Sequence, residues 1–169
     1  MFCRLRETAP AFLIPAAWGV VTAAHVGAVS TRPVFVMHGV MCVSLIAFAA
    51  ASWREMDAGV LRTWRAVIVA GTPFAFAGLA GFLVPVGSRA LFVAALAGWI
   101  LVPAAGFLAT ARQVRAGVGV YVGGAGLCVL GAALYAIGTV VGPTAAVTAG
   151  LVSVGIGQTA GILDAVLRY

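Results

Sequence analysis

AGVGVYVGGAGLCVLGAALYAIGTVVGPTAAVTAGLVSVGIGQTAGIL, residues 116–163, runs from Arg115 to Asp164 without a single charged side chain. A membrane-spanning helix needs about 20 predominantly apolar residues, because each advances about 1.5 Å through a hydrocarbon core about 30 Å thick. Residues 116–163 exceed twice that length and must hold two spans. Gly142-Pro143 is the natural break, since both residue types favour a turn, and Pro143 is expected as the first residue of the following helix. The run lacks the apolar–polar alternation of a barrel strand, and in lipid a helix satisfies its own backbone hydrogen bonds.

The same pattern continues upstream. Uncharged runs lie between Glu7 and Arg32, Arg32 and Arg54, Arg65 and Arg89, and Arg89 and Arg112. They predict spans at residues 10–29, 33–53, 65–86, 90–111, 117–140 and 145–167. The expected fold is therefore all-α: a polytopic integral membrane protein, a single domain formed by a bundle of six transmembrane helices. Composition agrees, with 63% hydrophobic residues, four acids and a mean hydropathy of +1.15, values at which a water-soluble domain would aggregate. Arg4 and Arg6 before an apolar stretch resemble a signal peptide. That stretch, Ala9 to Val29, is longer than a signal's apolar region and reads as a retained first helix.

All ten basic residues are arginine, and the net charge is +6. They stand singly or in pairs at span ends, which points to the anionic headgroups of a lipid bilayer as partner and not to nucleic acid. With the N-terminus cytoplasmic, Arg4, Arg6, Arg54, Arg62, Arg65, Arg112, Arg115 and Arg168 fall inside and only Arg32 and Arg89 outside. The positive-inside rule thus predicts a multi-pass protein of the cell membrane with both termini cytoplasmic. Trp53 and Trp64 flank the 54–62 connection and suit the interface, where an indole buries its ring and keeps its N–H wet. Within that connection Asp57 is within local reach of Arg62, although a solvated loop is the simpler reading because exposed pairs contribute little.

Small residues recur at helical spacing: Gly78 with Gly81, Gly119 with Gly123, Ala132 with Ala136, and Gly150 with Gly157 and Gly161. In lipid such faces let backbones approach and gain dispersion contacts, within the chain, with other membrane proteins or with a second copy. Pro15, Pro73 and Pro103 fall inside predicted spans. Pro73 and Pro103 each free a carbonyl four residues earlier, at Val69 and Trp99, where kinks are expected.

The chain has two histidines, and they straddle the first predicted outward loop. His25 lies seven residues before Arg32 and His38 six after it, so a hairpin puts both imidazoles at one depth near the outer face. On helix two, His38 shares a face with Met41 and Cys42. Two imidazoles are the axial set of a b-type haem, and imidazole, thioether and thiolate together suit copper. His25 and His38 are thus candidate haem or metal ligands, with Met41 and Cys42 completing the copper alternative. The competing account is structural: a histidine near the interface donating to a backbone carbonyl or to Thr22. A tight hairpin at about 8–10 Å is narrow for a porphyrin, so axial ligation favours helices one and two splaying apart. Cys3, Cys42 and Cys128 are too scattered for a disulfide framework or a CxxC pair. A milder polar set, Tyr135, Thr139, Ser153, Gln158 and Thr159, marks the last hairpin, where Gln158 reaches the depth of Cys128 and is expected to bond between helices.

There is no phosphate-binding loop, no carboxylate pair and no lysine. These absences argue against a nucleotide-driven pump, an aspartyl intramembrane protease and a retinal protein. Three readings follow. The leading one is a non-enzymatic accessory or structural membrane subunit. The others are a redox protein holding haem or copper between His25 and His38, and a small permease using the Pro73 and Pro103 kinks.

Overall fold

A computed structural model describes the backbone of residues 2–168 and the side chains of residues 11–168. The side chains of Cys3, Arg4, Arg6 and Glu7 lie outside the described residues. Six helices follow in order: α1 Phe2–His25, α2 Thr31–Ser52, α3 Gly59–Gly81, α4 Ser88–Ala111, α5 Val118–Val141 and α6 Thr144–Arg168. There is no strand among the described residues. Helices α2 to α6 are each long and apolar enough to cross a membrane, and the described part of α1, Ala11–His25, is apolar as well. The fold is the expected all-helical bundle.

Glycine and proline set the boundaries. Gly87, Gly117 and Gly142 adopt positive φ at helix ends, a region that L side chains avoid. Pro85 restrains Val84 to extended backbone, so α3 stops at Gly81 and not at the predicted 86. At its other end α3 starts at Gly59, six residues before the predicted 65, which moves Arg62 from the expected loop onto the first turn of a helix. Pro143 precedes α6 instead of opening it, and its carbonyl accepts from the Ala146 and Val147 amides. Pro15, Pro73 and Pro103 all lie within helices that run on through them.

Each helix packs on its neighbours in sequence, and α6 returns to α1, so the bundle closes as a ring. The α5–α6 pair is the most extensive contact and α1–α2 the slightest between sequence neighbours, with α4 also touching α6 across the interior. Glycine explains the tight pair. A Cβ on Gly157 would sit 2.7 Å from the Gly124 carbonyl oxygen, and one on Gly131 2.5 Å from that of Gly150. The expected small faces at Gly150, Gly157 and Gly161 therefore do pack, Gly161 against Phe107. Gly119 and Gly123 face open space instead, so their spacing is not a packing motif.

The core lies among α1, α4, α5 and α6, where Trp18, Phe107, Tyr121, Cys128, Leu151 and Val154 are buried. Helix α2 is peripheral: 6% of its spanning window is buried, against 39% for α4. Two ends follow from the ring. One carries the connections 26–30, 82–87 and 142–143 and is arginine-poor; the other carries both termini and the connections 53–58 and 112–117.

At the arginine-rich end two expectations need correction. Asp57 approaches Arg65 at 3.9 Å and not Arg62, because Arg65 is drawn over the Trp53 ring, 4.8 Å from its centroid, and donates to the Trp53 carbonyl. Trp64 does not hold its N–H in the interface: its ring packs edge-on against Phe107, and Nε1 is buried without a hydrogen-bond partner. Asp164 pairs with Arg168 at 2.7 Å. Its other carboxylate oxygen is set against Gly117 at the start of α5, where the helix dipole favours negative charge.

Candidate ligand-binding cavity

A cavity of about 740 Å³ opens within the ring toward the arginine-poor end, and all six helices contribute to its wall. Its floor is a buried hydrogen-bonded chain. Trp18 Nε1 donates to Gln158 Oε1 at 3.0 Å, and Gln158 Nε2 donates to the Trp99 carbonyl at 2.7 Å. That carbonyl is the one orphaned by Pro103, whose ring nitrogen has no hydrogen to give it. The expected interhelical bond of Gln158 is thus present, and its acceptor is the group that proline chemistry left open. Gln158 also meets Cys128, as its depth implied.

His25 and His38 both line this cavity. Each anchors Nδ1 on the carbonyl four residues back: His25 on Val21 at 2.8 Å and His38 on Val34 at 2.9 Å. A carbonyl only accepts, so Nδ1 carries hydrogen in both rings, and in the neutral ring Nε2 is left with its lone pair. The His25 Nε2 then accepts from the Tyr135 hydroxyl, 3.1 Å away on α5. The His38 ring lies directly over Gly78 of α3 and edge-on to Phe82, with centroids 5.4 Å apart. The backbone-carbonyl alternative for the histidines is therefore realised, whereas Thr22 donates to the Trp18 carbonyl and not to His25.

Met41 lines the cavity too, but Cys42 is buried in helix packing and is not on its wall. Among the described residues no group of three or more His, Cys, Asp and Glu side chains is arranged to hold a metal ion. The two imidazoles share a chamber, yet each Nε2 edge faces a different helix. Haem ligation would require both rings to leave Tyr135 and Gly78.

The sequence separated two sets of polar residues that the fold unites. Tyr135, Thr139 and Gln158 join the histidines in one cavity because α6 closes on α1. Their depth was legible, since Tyr135 precedes the Gly142 turn by the same seven residues that separate His25 from Arg32. Their neighbours were not, because span order alone does not say which helices close a ring. Ser153 and Thr159 are absent from this wall; Ser153 donates to the Ala149 carbonyl, and Thr159 lines a separate groove between α1 and α6. Arg89, Ser88, Ser30 and Thr31 stand on the wall at the arginine-poor end. The aromatic groups Trp18, Phe82, Phe92 and Trp99 supply much of its apolar surface.

No known protein family, no curated protein and no solved structure matches this chain.

Proposed function

We propose that this protein is a non-enzymatic, multi-pass membrane protein that holds a small amphipathic molecule in its central cavity. One observation carries this reading: a chamber of about 740 Å³, walled by all six helices, with aromatic sides and a few polar groups converging at one end. That volume lies within the range of roughly 300–1,000 Å³ typical of small-molecule sites, and so does the combination of apolar wall and sparse polar anchors. A purely structural subunit would gain more from filling the space, because packing is the main source of cohesion between helices in lipid. With eight of ten arginines assigned inside, the chamber opens toward the outer face of the cell membrane.

The test is stabilisation by ligand. An organic extract of the source membranes should raise the melting temperature of the detergent-purified protein, by about 2.7 kcal/mol of stability at a hundredfold excess over Kd. Ala136→Phe, which fills the chamber, should abolish that shift. No shift in the unmodified protein, or an equal shift in the filled variant, overturns the reading.

A second reading, b-type haem held by His25 and His38, is favoured by the Nδ1 anchoring of both rings, the arrangement that orients an imidazole to ligate through Nε2. It predicts a Soret band in the purified protein that His25→Ala or His38→Ala abolishes or shifts. Absence of the band, or indifference to both substitutions, removes it.

A further inference from the structure

Arg89 is on the wall of the chamber, one residue into α4, and Tyr135 lines the same chamber. Among the described residues no carboxylate stands at that end. Asp57 and Asp164 pair with Arg65 and Arg168 at the opposite end, Glu55 is in the 53–58 connection, and Glu7 belongs to the first turns of α1. The chamber is therefore an apolar, aromatic-walled space whose one charged lining residue is a guanidinium.

 

The sign of the ligand's charge follows from that guanidinium and from the lack of a described carboxylate at its end of the bundle. Arg89 is exposed at the mouth of the chamber, where an anionic head can reach it, and guanidinium–anion pairs are the strong, charge-assisted ones. The Tyr135 hydroxyl beside it is already committed to His25, so it fixes the wall without neutralising the charge.

We infer that the molecule held here is an acidic amphiphile, with a carboxylate or phosphate head at Arg89 and an apolar body between the aromatic walls. This rests on the ligand-binding reading and adds the charge of the ligand to it. Two sources supply that chemistry, a free long-chain carboxylic acid and an acidic phospholipid. A neutral amphiphile of equal body should bind less, because it makes no charge-assisted hydrogen bond with Arg89.

The test uses the full chain in nanodiscs and photoactivatable probes: a diazirine-bearing palmitic acid, its methyl ester, and phosphatidylglycerol and phosphatidylcholine carrying the same acyl chain. Crosslinks are mapped by peptide mass spectrometry. The acid or the phosphatidylglycerol should label the segments around Trp18 and Phe92 about tenfold more than its neutral counterpart. Arg89→Gln should lose that preference and Arg89→Lys should retain part of it. Whichever anionic probe labels identifies the source. Equal labelling by acid and ester that Ala136→Phe blocks overturns the acidic ligand and leaves the chamber reading standing. No labelling of the chamber by any probe overturns both.

Discussion

At the scale of single residues, Gln158 shows how one polar side chain is placed by the needs of others. Its amide gives a hydrogen bond to the carbonyl that Pro103 orphans and receives one from the Trp18 indole, with the side chain almost wholly buried. Gln158→Leu should destabilise the protein by about 1–2 kcal/mol, since it leaves a buried indole N–H and a buried carbonyl unmet. Pro103→Ala restores a backbone N–H for the Trp99 carbonyl. In that background Gln158→Leu should cost less by about 0.5 kcal/mol or more, as read in a double-mutant cycle of thermal unfolding. Strict additivity would contradict the link between proline and glutamine. The need of the Trp99 carbonyl for a donor was legible from Pro103 alone. Which side chain meets it was not, because Gln158 is 59 residues from Trp99 and reaches it only through the α4–α6 contact.

At the scale of elements, the α5–α6 pair is held by backbone proximity. Gly131→Ala and Gly157→Ala place a Cβ against carbonyl oxygens of the facing helix and should each destabilise by about 1–3 kcal/mol. Gly123→Ala meets nothing within 4 Å and should change stability by less than about 0.5 kcal/mol. Denaturation of the three variants in one detergent checks the contrast, and a similar loss in all three would contradict it. Spans and turns were readable because uncharged length and Gly-Pro punctuation are local properties. The packing faces were not, since Gly119 and Gly123 have the same spacing that lets other small residues pack. Spacing places two glycines on one face without saying whether that face meets a helix or lipid.

At the scale of the whole molecule, the chain is a ring whose order follows the sequence and whose interior is sealed by the Trp18–Gln158–Trp99 floor on one side of a chamber. The orientation proposed from the arginine count, with both termini inside, is open to a direct test. In a Cys3→Ser background, Thr31→Cys should react with a membrane-impermeant maleimide in intact cells, and Asp57→Cys only after permeabilisation. The reverse pattern would turn the chamber to the cytoplasmic side. The sequence places His25 and His38 at one depth, and both line the chamber. Their present partners, Tyr135 and Gly78, lie on helices that only ring closure brings near. The most direct measurement of whether the chamber is a binding site is native mass spectrometry of the intact protein released from nanodiscs. A non-covalent adduct of a small molecule, lost in Ala136→Phe and in Ala24→Phe while helix content stays the same, is the predicted result. A bare protein mass, or an adduct that survives both substitutions, would contradict it.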